Sequence, residues 1–272
     1  MSGICGYLGR LQDEIGGDSA ALLRRMGERM AEFDASPVRT LQSGSCGLAV
    51  AAPTDSISLH KKDGVLAAVW GRPLLDGSAE QVALRLAGLW GARGPQACAA
   101  LSGAFAVCLV DCLTGQVLLA VDRAATYPMH YQSTPHGLLF GTSGAALRLH
   151  PSAKDELDAQ SLYNYLYFHM IPAPRTVYRQ QYRLLPGEYL HYRPGRIERG
   201  SYWKLRFDED QTHSFEQLRE QFLSTLEQSV LRAAGGARVG AFLSGGTDSS
   251  TLAGMLAKVQ GSRPSTYSIG FD

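Results

Sequence analysis

Apolar and polar positions alternate in blocks whose spacing separates strands from helices. Near the start, Ile4, Cys5, Tyr7 and Leu8 make a short apolar run, which predicts a strand over residues 1–9. From Ser19 the period changes. Leu22, Leu23, Met26 and Met30 recur at helical spacing and predict a helix over residues 19–31. Apolar runs return at 46–50, 101–107 and 118–121, each reading as a strand. Residues 157–170 read as helical, with a tyrosine-rich stretch from Tyr163 through Tyr167 expected to serve as core or interdomain packing. The prolines in 171–178 predict extended chain. Leu185-Pro186-Gly187 reads as a turn into a strand, and Pro194-Gly195 as the turn of a hairpin ending at Tyr202-Trp203.

A second series follows. Ser214 is a suitable N-cap with Glu216 in the first turn, and Phe215, Leu218, Phe222, Leu226 and Val230 form one apolar helical face that Ala234-Gly235-Gly236 ends. Residues 239–243 read as a buried parallel strand. Leu252, Met255, Leu256 and Val259 mark a helix over 250–259, and residues 265–271 supply a further strand. That order is a βαβ unit, expected to be right-handed and parallel. So short a run up to Asp272 cannot close a doubly wound domain, which implies a fragment or completion by a second chain.

Composition narrows the class. The 272 residues, 45% hydrophobic and 19% charged, suit one large or two smaller globular domains. A net charge of +1 gives no electrostatic case for nucleic acid or an anionic membrane surface. No apolar run approaches the length of a membrane span, and no signal segment opens the chain. Five cysteines (Cys5, Cys46, Cys98, Cys108 and Cys112) without a CxxC pair predict free, mostly buried thiols in a reducing cytoplasm.

The most specific chemistry sits between the strand at 239–243 and its helix: Ser244-Gly245-Gly246-Thr247-Asp248-Ser249-Ser250. Free N–H groups at a helix start and the positive end of its dipole converge on such a turn and favour an anion. The two glycines allow close backbone approach, and the serine hydroxyls add donors. No lysine lies in the turn, so it is not a Walker A loop, nor is it GxGxxG. The simpler alternative is an ordinary strand-to-helix turn, with Asp248 complementing the dipole.

The string Ser244 to Ser250 resembles the pyrophosphate loop of ATP-pyrophosphatase enzymes. With Leu243 before it and Ser268-Ile269-Gly270-Phe271 after it, the chain resembles the asparagine synthetase family. That resemblance implies an α/β fold: an N-terminal αββα sandwich of the N-terminal-nucleophile kind over residues 1–205, then the start of a parallel-sheet ATP-pyrophosphatase domain over 206–272. It implies ATP and Mg²⁺ as cofactors. Backbone groups of Leu243 and Ile269 would border the adenosine. Ser244, Gly245, Gly246, Asp248, Ser249 and Ser250 would hold pyrophosphate, with Asp248 toward the metal. The implied reaction adenylates a small-molecule carboxylate and then forms an amide with ammonia or an amine; a homodimer is compatible with the resemblance.

The first domain departs from that family's pattern. Removal of Met1 would expose Ser2, where the family has a nucleophilic cysteine, and a hydroxyl is the weaker nucleophile near neutral pH. Residues 32–37 stand where the family has a basic Arg-Gly-Pro-Asp segment. The strand at 46–50 lacks the arginine that clamps the glutamine carboxylate. Trp70-Gly71-Arg72 replaces Asn-Gly-Glu, and Gly77-Ser78-Ala79 lacks the acid of Gly-Ser-Asp. Asp122 and Arg123 are expected to form a structural ion pair. A silent glutaminase is therefore expected, with Ser2 at an inactive nucleophile position. The nitrogen would then come from free ammonia or a substrate amine, as the similarity to β-lactam synthetases and lasso-peptide cyclases suggests. A working glutamine-hydrolysing synthetase and a truncated, non-catalytic nucleotide-binding chain are the alternatives.

Overall fold

The computed structural model describes residues 2–9, 18–209, 212–236 and 238–270. Phe271 and Asp272, at the end of the expected last strand, lie outside them. The chain divides into two compact units, Met1–Leu205 and Arg206–Asp272.

In the first unit the elements run β1 (Gly3–Leu8), α1 (Ser19–Ala31), β2 (Val38–Ser43), β3 (Cys46–Ala51), β4 (Ile57–Lys62), β5 (Val65–Leu75), α2 (Val82–Arg93), β6 (Leu101–Asp111) and β7 (Gln116–Val121). They continue with β8 (His130–Thr134), β9 (Gly137–Gly141), α3 (Gly144–Leu147), α4 (Ala159–Phe168), β10 (Gln181–Arg183), β11 (Glu188–Arg193) and β12 (Arg196–Ser201). Two antiparallel sheets result, in the orders β10-β8-β9-β1-β3-β2 and β12-β11-β7-β6-β5-β4.

Strand alternation sends successive side chains to opposite faces. Ile4, Leu48, Val50, Leu66, Ala68, Cys108, Leu119 and Phe140 fill the space between the sheets. Tyr7, Ala49 and Leu139 turn the other way, onto Leu23, Met26 and Met30 of α1. On the far side Val69, Phe105 and Leu118 pack on Val82, Leu86 and Trp90 of α2. The layers are therefore helix, sheet, sheet, helix. Leu22, Leu23, Met26 and Met30, spaced for one helical face, are the buried residues that seat α1, and Asp18 caps it by accepting from the Ala20 amide.

The second unit holds α5 (Phe215–Ala234), β13 (Ala241–Phe242), α6 (Thr247–Gln260) and β14 (Thr266–Tyr267), with β13 and β14 parallel. Ser214 and Gln217 close a capping box on α5, and Gly235 ends it in the left-handed region.

Three expectations are corrected. The strand at 239–243 is only two residues long and its Phe242 is exposed, because a two-stranded sheet leaves both faces uncovered. The aromatic stripe of α4 is not core: Tyr163, Tyr165, Leu166, Tyr167 and Phe168 are exposed, and Ser161 is the buried residue of that helix. The ion pair expected of Asp122 and Arg123 is not found among the described residues. Asp122 instead accepts hydrogen bonds from the amides of Phe105, Ala124 and Thr126 and from the Thr126 hydroxyl, pinning the turn after β7, while Arg123 lies over the Trp203 ring at 5.6 Å. Among the described residues, no helix is long and apolar enough to cross a membrane.

Candidate functional site

Two places collect the sequence-predicted residues, one in each unit. In the second unit the parallel ladder brings Leu243 against β14: the Leu243 amide donates to Tyr267 O at 2.8 Å, and Ser268 Oγ donates to Leu243 O at 2.6 Å. The chain then turns at Gly245, whose φ of +83° is a region that residues with a Cβ adopt only at a cost. Gly246 caps α6, which starts at Thr247, three residues before the expected 250–259 span.

The first intrahelical bond runs from the Ser250 amide to Gly246 O at 3.1 Å, so the amides of Thr247, Asp248 and Ser249 are the helix-start donors. Ser244 and Ser249 hold the turn shut: their hydroxyls are 2.9 Å apart, and Ser249 Oγ also accepts from the Ser244 amide and donates to Gly246 O. Nothing stands within 4 Å of the space a Cβ on Gly245 would occupy. Free helix-start amides and open space over a glycine are what an oxyanion needs. Asp248 sits in the first helical turn. Among the described residues, no group of three or more His, Cys, Asp or Glu is arranged to hold a metal ion, so a cation at Asp248 would draw further ligands from phosphate oxygens and water. Ile269 follows the ladder and is exposed.

In the first unit Ser2 precedes β1. Its Oγ donates to Asp34 Oδ2 at 2.9 Å and lies 3.0 Å from Ser36 Oγ. Slight desolvation pushes the Asp34 carboxyl up, but the hydrogen bonds from Ser2 and Ser36 outweigh it and hold the group at about 2. So acidic a carboxyl is a poor base. The segment at 32–37, expected only as a place where a basic motif is missing, thus supplies the partners of Ser2.

Arg39 is a residue that reading by position missed. The register sets it opposite Val50 on β3, and Val50 opposite Ile4 on β1, so Arg39 shares the face of Ile4, two residues from Ser2. Its Nε and Nη2 are buried without a hydrogen-bond partner. The strand at 46–50 carries no arginine, yet the neighbouring strand presents one on the same face. Only the pairing order could have revealed it. The Trp70 ring lies tilted against Tyr127, centroids 4.1 Å apart, and the Ser78 hydroxyl accepts from the Glu80 amide in a local turn.

Comparison with known proteins adds the following. Residues 77–203 match the family model for a glutamine amidotransferase domain, and residues 221–272 match that for asparagine synthase. The chain is 27% identical over 177 residues to a putative glutamine-hydrolysing asparagine synthetase of Methanocaldococcus jannaschii, covering 63% of this chain and 34% of that one. It is 27% identical over 155 residues to asparagine synthetase 1 of Bacillus subtilis, covering 56% and 24%. The chain thus spans about a third or less of the length of these curated relatives. Among solved structures, the B. subtilis glutamine phosphoribosylpyrophosphate amidotransferase complexed with ADP and GMP aligns over 97% of this chain and 65% of its own, with TM-score 0.45 and 9% identity.

Proposed function

From the premise that this chain belongs to the asparagine synthetase family, we propose that it serves as part of an ATP-dependent amide-forming ligase whose glutaminase site is silent. Residues 1–205 form the amidotransferase-like domain and residues 206–272 the start of the nucleotide-binding one, in a protein of the reducing cytoplasm. The observation that carries the ligase reading is the turn at Ser244–Ser250, closed by its own serines and opening helix-start amides beside Gly245.

ATP supplies the activating group. The amides of Thr247, Asp248 and Ser249 would take up charge on the departing pyrophosphate, and Asp248 would help hold Mg²⁺, which would supply Lewis-acid stabilisation of that charge. Leu243 and Ile269 border the adenosine through backbone groups. The acceptor is a small carboxylate, and the nitrogen comes from ammonia or an amine.

Titration calorimetry of the chain with MgATP tests this turn. Ser244→Ala and Asp248→Asn should each weaken binding about tenfold while circular dichroism stays unchanged; unchanged affinity in both overturns the assignment.

The silent-site reading rests on Ser2 donating to Asp34. Arg39 favours the second reading, a working glutaminase, because its unpaired guanidinium donors could receive the carboxylate of an amino acid. Glutamate release from glutamine separates the two. The silent site predicts none above background. Release that disappears in both Ser2→Ala and Arg39→Met would establish the second reading instead.

A further inference from the structure

Away from both sites, one end of a sheet is polar where the rest of its face is apolar. β8 and β10 pair antiparallel, with Gln132 opposite Gln181 and His130 opposite Arg183. Alternation puts these four on one face, while Tyr131 between them turns into the core between the sheets. Gln132 is also paired with Leu139 of β9, which packs on the helix side, so the four share that side. α3 lies over them: a Cβ on Gly144 would come within 2.7 Å of Gln181 Oε1. Gln132 is fully buried and Gln181 is 2% exposed. Yet Gln132 Nε2 and Oε1, Gln181 Nε2, Arg183 Nε and His130 Nδ1 are all buried without a hydrogen-bond partner. Groups so placed lose their bonds to water and gain none in return, which disfavours the fold unless something occupies them.

What suits them follows from their balance of donors, acceptors and charge. Arg183 Nε carries one N–H and each glutamine nitrogen two, against one unpartnered amide oxygen. Burial, with the Arg183 charge, lowers His130 to about 4, so near pH 7 the imidazole is neutral and Arg183 is the one cation of the four. Arg148, Arg175 and Arg179, from the segments on either side of α4, reach Asp155, Asp158 and Glu156. Arg183 instead donates from Nη2 to Ile171 O at 2.6 Å, and no carboxylate pairs with it among the described residues. An excess of N–H donors around a single uncompensated cation suits a flat monoanion; a phosphate dianion would leave one charge unmatched away from water. Gln181 also borders a surface pocket of about 220 Å³, with Arg175, Thr176, Tyr178 and Arg179. Asp158, the acid of that pocket, is already held by Arg175 at 3.0 Å and by the Ser161 hydroxyl at 2.6 Å.

We propose that Gln132, Gln181 and Arg183 form a binding site for a small monocarboxylate of formate or acetate size, entered through the pocket beside Gln181. Arg183 Nε and the two amide nitrogens donate to its oxygens, and the guanidinium charge balances the anion.

Titration calorimetry of the full chain with sodium acetate, against a buffer matched with sodium chloride, tests this. One acetate per chain should bind, formate should compete for the site, and inorganic phosphate should not. Arg183→Met and Gln132→Met should each weaken acetate binding about tenfold. Arg39→Met, which removes the other unpaired guanidinium, should leave it unchanged. Circular dichroism checks each fold. Gln132→Met exchanges a buried, unpaired amide for an apolar chain of similar size, so it keeps the test decisive if Arg183→Met unfolds. Acetate heats no different from those of chloride, competition by phosphate, undiminished binding in either folded variant, or loss of binding in Arg39→Met would overturn the site.

Discussion

The two units obey the same local rules and end in different states of burial. In the first, sheet-on-sheet and helix-on-sheet packing removes nearly every large apolar residue of the strands from water. In the second, an equally regular apolar pattern is left open: Phe215, Phe222, Phe242, Leu252 and Ile269 are exposed, and Ala234 and Leu256 are the buried apolar residues among those described. Amphipathic spacing forms a helix, but burial needs a partner layer, and a two-stranded sheet gives too little surface to be one. The turn at residues 244–250 depends on neither. Its geometry is set by a glycine, two serines and the start of one helix.

The contrast can be broken by truncating one phenylalanine in each unit. Phe140→Ala, in the core between the sheets, should cost about 3–5 kcal/mol, whereas Phe222→Ala, 64% exposed on α5, should change stability by less than about 0.5 kcal/mol. Urea unfolding of the two variants reads the difference; equal losses would mean that the α5 face is covered in solution.

A smaller effect is expected with pH. Burial lowers His130 to about 4, and the Arg183 charge acts in the same direction. With the folded pKa below the unfolded value near 6.5, the unfolded chain binds more protons between the two. Stability is therefore complete above about pH 6.5 and declines as pH falls toward 4, by at most about 1.4 kcal/mol per pH unit from this group. His130→Gln should flatten that slope in denaturant titrations from pH 4 to 7; an unaltered slope would place the acid sensitivity elsewhere.

The smallest change should come at the turn. Gly245→Ala meets no steric obstacle but must hold φ near +83°, which costs about 1–2 kcal/mol. Helix content should stay constant while MgATP affinity falls about tenfold. An undiminished affinity would show that the strained conformation is not needed for binding.

Much of this was legible in the residues. The span of α1, the Ser214 N-cap of α5 and the hairpin around Pro194-Gly195 each follow from interactions a few positions apart, and the structure places them where periodicity and turn chemistry do. The αββα layering followed from the family resemblance, and the packing clusters give its physical form. Other features were not legible. The tyrosines of α4 read as core because aromatic residues are usually buried, yet no described layer covers them. Asp122 beside Arg123 read as an ion pair because opposite charges adjoin in sequence, but adjacent strand-end residues diverge, and the turn's own amides claim the carboxylate.

By itself, then, the sequence determined short-range features: the span of α1, the N-cap and end of α5, and that a glycine-serine turn joins a strand to a helix at residues 244–250. Only the tertiary structure decided which distant side chains meet. Ser2 finds Asp34 and Ser36, Arg39 comes to the face of Ile4, and Cys46 and Cys112 come from different sheets to one core. The reason is register. A strand's faces alternate every residue, so the order and offset of pairing across β1, β3 and β2, together with the stacking of two sheets, choose neighbours that no local spacing encodes.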